Sequence, residues 1–417
     1  MYNYILKYLL FFIKPFENIN INDIIVLQEW GLNMEKLFNE KVNRKNTNTL
    51  KWDYQFNEDF IPLWIADSDY KTAPVVLDEL KSLSDFGVYG YNRVPKRFNE
   101  AVVSWYKKRY DANVNEEWVI PSTGVILEMR ILLDVITKEG DGIILQTPVY
   151  HSFHQLINGM NRKIIENKLI KQDDYYVMDF DNLEKLFKDG YKTMILCSPH
   201  NPVGRIWDNE ELSKVFELAK KYNVFLIVDE IHSDLNIFGK KFISAIDYVN
   251  EYDNFVICNA PSKTFNLAGL YTSYIIIPKP ELRELFNNQV KREFLNSPTV
   301  FGYSATIKAY EEGEEWVKAQ NEHIKNNYLY LKKYINENLP KAVVTKLEGT
   351  YLVWIDLSYL NLNTNQLLDI CNKNGVTCNG GVNFCKDYES FLRINLACPL
   401  NQLKEGLVRF VNGFKNL

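Results

Sequence analysis

Four runs of consecutive apolar residues constrain the fold of this chain more than any other feature: Ile143-Ile144-Leu145, Thr193-Met194-Ile195-Leu196-Cys197, Val224-Phe225-Leu226-Ile227-Val228 and Phe255-Val256-Ile257-Cys258. Their hydrophobicity is unbroken rather than alternating. A strand apolar on both faces needs cover on both, and that cover is supplied in parallel sheets flanked by helices. Stretches with helical spacing, such as Glu210 to Lys221 and Val125 to Ile136, separate the runs, and Trp118 to Pro121 reads as a further short strand. The expected fold is therefore α/β with a mainly parallel sheet.

At 417 residues the chain exceeds the size at which single cores stop growing, so two domains are expected. We place a large domain at residues 72–310. A smaller α+β domain combines the N-terminal segment 34–71 with residues 311–417. Between them, a polar helix from about Glu311 to Asn336 reads as a solvated connector, with Trp316, Tyr328, Leu331 and Tyr334 toward the core. The run Tyr4 to Ile13 is apolar but too short to span a bilayer, and no basic segment precedes it. Residues 1–33 are expected to be an extension outside the fold, with Met34 as the functional start.

Charge and cysteine usage exclude several classes. A net charge of −5 with both signs interspersed leaves no electrostatic footprint for nucleic acid, and no membrane partner is expected. The six cysteines show no CxxC spacing, which reads as free thiols of a reducing, cytoplasmic compartment. His151 and His154 lie three apart, yet no cluster of Cys, Asp or Glu accompanies them at ligand spacing, so no metal is expected.

Sheets of this kind bind ligands beyond the carboxyl ends of their strands, and the polar residues fall there. Ser122-Thr123-Gly124-Val125-Ile126 opens a helix whose N–H groups suit a phosphate. Tyr150 follows the next run, Ser198-Pro199-His200-Asn201-Pro202-Val203-Gly204 the third, and Asp229 the fourth. Asp229 is costly to bury without a cation. Lys263 lies in Asn259 to Leu270, between two apolar runs. Desolvation there lowers a lysine pKa and leaves a neutral amine able to form a Schiff base with a carbonyl; the competing reading is a solvated loop lysine. Arg393 adjoins an apolar strand that it is expected to open, and either a carboxylate ligand or an internal salt bridge accounts for it.

In this order and at these spacings, the segments resemble fold-type-I pyridoxal-phosphate (PLP) enzymes of the aspartate aminotransferase superfamily. The more specific resemblance is to the MalY/PatB type of cystathionine β-lyases. It is carried by Trp64 to Tyr70, Tyr89 to Arg93, Thr147 to Tyr150, Asp229 to Leu235, Ser262 to Leu270, Gly349 to Trp354 and Arg393 to Pro399. The resemblance implies that Lys263 holds PLP and then takes the Cα proton. It implies that Asp229 pairs with the pyridine nitrogen, that Asn201 and His232 bond the ring oxygen, and that Tyr150 stacks on the ring. The N–H groups of Gly124, Val125 and Ile126, with Ser262 nearby, would hold the phosphate, and Arg393 the substrate carboxylate.

Tyr91 falls in a loop that in the family reaches the neighbouring subunit's phosphate, implying a homodimer with shared sites. Two departures stand out. Tyr271 occupies a position where aminotransferases commonly have arginine, and Phe384 to Glu389 replaces a glycine-rich pattern. The reaction implied is α,β-elimination of L-cystathionine or a cysteine-type amino acid to a thiol, pyruvate and ammonia. A class I/II aminotransferase is the alternative, followed by a regulatory protein acting through protein contact.

Overall fold

The unbroken apolar runs assemble into one seven-stranded sheet in the computed structural model, which describes residues 35–53, 59–295 and 297–417. The expected extension, residues 1–33, lies outside the described residues. The strands are β1 (Val119–Ser122), β2 (Gly142–Leu145), β3 (Lys163–Glu166), β4 (Thr193–Cys197), β5 (Phe225–Asp229), β6 (Phe255–Asn259) and β7 (Ser273–Ile276), in the order β1-β7-β6-β5-β4-β2-β3. Neighbours from β3 through β6 are parallel. β7 runs against both of its neighbours.

Every residue of β4, β5 and β6 is buried. Alternate side chains serve opposite faces: Leu196, Val228 and Ile257 join one core, and Ile195, Ile227 and Val256 the other. At about 1.5–3 kcal/mol for each large apolar side chain buried, this two-sided cover is what fixes the central strands. β3 is absent from the sequence reading because only Ile164 and Ile165 are apolar between Lys163 and Glu166, as suits an edge strand.

A second, antiparallel sheet contains β8 (Val343–Val344), β9 (Leu352–Asp356), β10 (Asn379–Gly380) and β11 (Phe391–Asn395), in the order β8-β9-β11-β10. Ile61–Pro62 pairs in parallel with Val376–Thr377, which joins the N-terminal segment to this part of the chain. Arg393 does not open its strand as expected. It lies at the centre of β11 opposite Trp354, with all five strand residues buried.

The helix Glu314–Asn338 corrects the expectation of a solvated connector. Besides Trp316, Tyr328 and Leu331 it buries Gln320, His323 and Asn327, whereas Tyr334 is only half-buried. The NH2 groups of the buried amides donate to backbone carbonyls of loops: Gln320 Nε2 to Thr264 O (3.0 Å), Asn321 Nδ2 to Asp234 O (2.8 Å) and Asn327 Nδ2 to Cys398 O (2.8 Å). Polar composition therefore reflects hydrogen bonding inside the fold.

The segment following Ile61–Pro62 is held by buried charge. Asp69, 2 % exposed, accepts from Arg44 Nη1 (2.7 Å), Trp52 Nε1 (2.8 Å), Lys51 Nζ (2.8 Å) and Gln402 Nε2 (2.7 Å). Asp67 also pairs with Arg44 (2.9 Å) and with Lys51 (3.3 Å). Two cations thus meet two carboxylates, and Lys51 itself is fully buried. Replacing Asp69→Ala leaves both cations with one anion, and we expect a loss of about 3 kcal/mol or more in unfolding free energy. Urea denaturation followed by tryptophan fluorescence reads that change; a loss below about 1 kcal/mol would contradict the anchor.

Candidate active site

The carboxyl ends of β1, β2, β4, β5 and β6 share one edge of the large sheet, and because β7 is antiparallel, loop 260–272 leaves and rejoins that same edge. Lys263 sits in this loop, partly buried. Its neighbour Thr264 is locked from two sides, Oγ1 donating to Asp234 Oδ2 (2.9 Å) and the carbonyl accepting from Gln320. The lysine Nζ donates to Ala66 O at 2.7 Å, and Tyr351 Oη donates to the same oxygen at 2.9 Å. The loop-lysine reading therefore fails. Burial pushes the amine down to about 8, with Arg393 adding to the fall and Asp67 and Asp229 opposing it.

Asp229 ends β5 and is buried. It accepts the Ile231 N–H at 3.0 Å, and burial raises it to about 6 against that bond and the Lys263 charge. His232 is buried as well, its Nδ1 without a partner among the described residues. Burial, followed by the charges of Lys263 and Arg393, holds its imidazole well below the usual range, hence neutral.

Arg393 Nη1 donates to Asn201 Oδ1 (3.1 Å) and Nη2 to Trp64 O (2.9 Å), while Nε has no partner among the described residues. No carboxylate pairs with it among the described residues, which removes the internal salt bridge as its explanation. Asn201 is buried, and its side-chain carbonyl is committed to that arginine, which leaves the NH2 as its donor. Tyr150 occupies the N-cap position of helix His151–Gly159 without a side-chain capping bond and is half-buried.

Gly124 precedes helix Val125–Ile136, which carries no side-chain cap, so the N–H groups of its first turn are unclaimed by side chains. A Cβ built on Gly124 would meet nothing within 4 Å. Ser262 is half-buried just before the lysine. Lys263, Asp229, His232, Asn201, Tyr150 and Arg393 are thus brought together, with the Gly124–Ile126 turn on the same sheet edge. Tyr91 is not: it is fully exposed in a loop held by Asn92 Nδ2 donating to Pro298 O (3.2 Å).

Sequence reasoning assigned no role to the carbonyls of Trp64 and Ala66, which receive the site's cations, because backbone acceptors carry no sequence signal. Nor did it single out Glu128, fully buried on helix Val125–Ile136 and accepting from Ser273 Oγ. Burial lifts its carboxyl to about 8. A lone acid inside Val125-Ile126-Leu127-Glu128-Met129 was the available signal.

The lysine pKa has a stability consequence. Its folded value lies below the unfolded one, so the unfolded chain binds more protons between about pH 8 and 10.5. The cost of burying the ammonium is full below pH 8 and vanishes as pH rises past 10.5. Lys263→Met is therefore expected to stabilise the ligand-free protein at pH 7 by on the order of 1–2 kcal/mol, with the gain shrinking toward pH 10.5. Urea unfolding at pH 7 and pH 10.5 measures both; a destabilised variant at pH 7 would refute the buried amine.

Three comparisons bear on this geometry. Residues 58–410 match the family "Aminotransferase class I and II". The chain is 34% identical to cystathionine beta-lyase PatB of Bacillus subtilis, covering 89% of this chain and 98% of that protein, and 30% identical to protein MalY of Escherichia coli, covering 91% and 98%. Among solved structures it is similar to cystalysin from Treponema denticola, which contains a pyridoxal 5'-phosphate cofactor (TM-score 0.87, 34% identity, 91% of this chain and 98% of that one). It is equally similar to a PLP-bound putative aminotransferase from Clostridium difficile (TM-score 0.87, 39% identity, 90% and 99%). With the match running over most of its length, this chain belongs to the class I and II aminotransferase family of fold-type-I enzymes.

Proposed function

We propose that this protein is a PLP-dependent carbon–sulfur lyase that performs α,β-elimination on a cystathionine- or cysteine-type amino acid. The observation that carries the reading is a lysine amine held by a backbone carbonyl, near a buried strand-end aspartate and an arginine that pairs with no carboxylate among the described residues. The partnerless groups fit PLP. Asp229, costly as a lone buried carboxylate, would pair with the protonated pyridine nitrogen. The orphaned His232 Nδ1 and the Asn201 NH2 would meet the ring oxygen, and Tyr150 would lie on the ring. The uncapped turn at Gly124, Val125 and Ile126, with Ser262, would receive the phosphate.

When bound, PLP supplies an electron sink for the substrate's Cα–H bond. The chain's own residues do the rest. Arg393 offers two N–H groups for the α-carboxylate in place of Asn201 Oδ1 and Trp64 O, and that pairing orients the amino acid. Lys263, a substantial fraction of it neutral near pH 8, takes the Cα proton as general base. The Cβ–S bond then breaks with its electron pair leaving on sulfur, and the released 2-aminoacrylate hydrolyses to pyruvate and ammonia. The names of PatB and the C. glutamicum cystathionine beta-lyase support this outcome, while the putative aminotransferase at 39% identity favours transamination as the second reading.

The subunit arrangement belongs to the same proposal. Phe86, Val88, Tyr89, Tyr91 and Phe294 are all exposed apolar side chains. Loop 87–95 lies against residues 298–301, through Asn92 and through Tyr89 packed on Phe301, so Phe86, Val88, Tyr89 and Tyr91 gather on one stretch of surface. A second copy docked there would bury it and bring Tyr91 toward the other subunit's phosphate turn. A cytoplasmic setting is supported by six free, buried thiols. Among the described residues no helix is long and apolar enough to cross a membrane.

Purified protein given L-cystathionine alone is expected to release pyruvate over many turnovers without a keto-acid acceptor. Acceptor-dependent turnover would instead establish the transaminase. The bound cofactor's visible absorbance should disappear in Lys263→Ala. Light scattering on a sizing column should give a dimer, with Val88→Asp shifting it toward monomer; an active wild-type monomer would end the shared-site reading.

A further inference from the structure

Two loops meet at the carboxyl edge of the large sheet, and one buried carboxylate joins them. The first, 229–235, continues from β5 and carries Asp229 and His232. It is folded tightly on itself, the Ser233 N–H donating to Glu230 O (2.9 Å) and the Leu235 N–H to His232 O (3.0 Å). The second, 260–272, carries Lys263 and is equally tight, with the Phe265 N–H donating to Pro261 O (2.8 Å) and the Leu267 N–H to Ser262 O (3.2 Å). A shift at the junction is therefore passed on to the side chains these loops carry, because neither has slack to absorb it.

Asp234 is that junction. Its carboxylate is buried and ringed by donors: Trp105 Nε1 (3.1 Å), Tyr110 Oη (2.7 Å), Arg109 Nε (3.3 Å) and Thr264 Oγ1 (2.9 Å). Three of the four come from helix Lys96–Tyr110, and the Trp105 ring is itself stacked on Tyr310 at 4.9 Å. The carboxylate is thus anchored from one rigid element, and the bond to Thr264 conveys that element's position to the lysine loop. A second tie runs beside it, Asn259 Nδ2 donating to Ser233 Oγ (3.2 Å) and to Tyr106 Oη (3.0 Å). Asn259 lies four positions before the lysine, whereas Thr264 adjoins it. Lys263 is therefore fixed at its root through Thr264 and at its tip by Ala66 O.

We propose that Asp234, acting through Thr264, is a positioning residue that sets the reach of the Lys263 amine relative to Asp229 and His232. The inference rests on the reading that Lys263 bonds PLP and then moves the Cα proton; it does not depend on whether elimination or transamination follows. Proton transfer demands heavy atoms within hydrogen-bond reach, so a displacement of about 1 Å at the lysine root costs rate. Amino-acid binding falls to Arg393 on β11, in the other sheet, and is left unchanged. The Asp234 bond therefore acts on the chemical step and on cofactor capture, and leaves substrate affinity alone.

The test uses the full-length protein. Thr264→Val removes the hydroxyl at nearly constant volume, and Thr264→Ser keeps it. In the PLP-loaded enzyme, exchange of the L-alanine Cα proton for deuterium should fall about tenfold at saturation in Thr264→Val, while the half-saturating alanine concentration moves less than about threefold. Thr264→Ser should return the rate to within about threefold of wild type. After PLP is stripped and re-added, the visible absorbance should reappear more slowly by a similar factor in Thr264→Val. Asp234→Asn, which turns an acceptor oxygen into a donor facing a donor, should reproduce both losses. Phe216→Leu, which loosens the packing of helix Asn209–Tyr222 on Tyr248 and Phe255, controls for lost stability and should move neither rate. Unchanged rates in Thr264→Val, equal losses in Phe216→Leu, or no recovery in Thr264→Ser overturns the proposal. Proton exchange is common to elimination and transamination, so a wild type that releases no pyruvate sinks the lyase reading alone. A visible band retained in Lys263→Ala would sink the lysine's assignment and this inference with it.

Discussion

The backbone carbonyls of Trp64 and Ala66 are the acceptors on which this site depends. Ala66 O takes hydrogen bonds from Lys263 and Tyr351, and Trp64 O from Arg393 and Asn379. Four side chains, from loop 260–272, the residue before β9, β10 and β11, thus converge on one short stretch. A carbonyl is a neutral acceptor, so it orients the cations without neutralising them. Were carboxylates in these places, both cations would sit in closed ion pairs, raising the lysine's pKa and blocking the arginine. The stretch can serve because Asp67 and Asp69, immediately after it, are held by Arg44 and Lys51. The charged anchor and the neutral acceptors lie side by side, yet they do opposite electrostatic work.

The same logic of withheld partners runs through the site. Among the described residues, Asp229 is buried with one backbone donor, His232 has an orphaned ring nitrogen, and the first turn of helix Val125–Ile136 has no side-chain cap. Each omission costs stability in the ligand-free chain, and in the proposed function each would be relieved by a group of matching polarity on one flat, phosphorylated ligand. The large two-sided core tolerates these costs. Its central strands are buried at every position, so the strand ends can carry strained electrostatics without loosening.

Much of this was legible in the residues. Continuous hydrophobicity is a direct consequence of a strand covered on both faces, which is why β4, β5 and β6 could be placed, and why Asp229 and Lys263 could be located at their ends. Helix Val125–Ile136 matched its spacing from first residue to last. The reading failed where polarity was taken for exposure. Helix Glu314–Asn338 looked solvated, but its Gln320, Asn321 and Asn327 bond loop carbonyls that no pattern in their own segment reveals. β3 escaped because an edge strand needs only two apolar residues.

By itself, the sequence determined the α/β class, the order of the strand-end residues and the resemblance to PLP enzymes, since all three are written in local pattern and spacing. Only the tertiary structure decided what makes those residues reactive. Lys263 and Ala66 are 197 positions apart, and Arg393 and Trp64 are 329 apart. Burial, field and hydrogen bonding at the site arise between such distant partners. A lysine beyond a strand end becomes a low-pKa amine only when the fold removes its water and gives it a backbone carbonyl in place of a direct carboxylate partner.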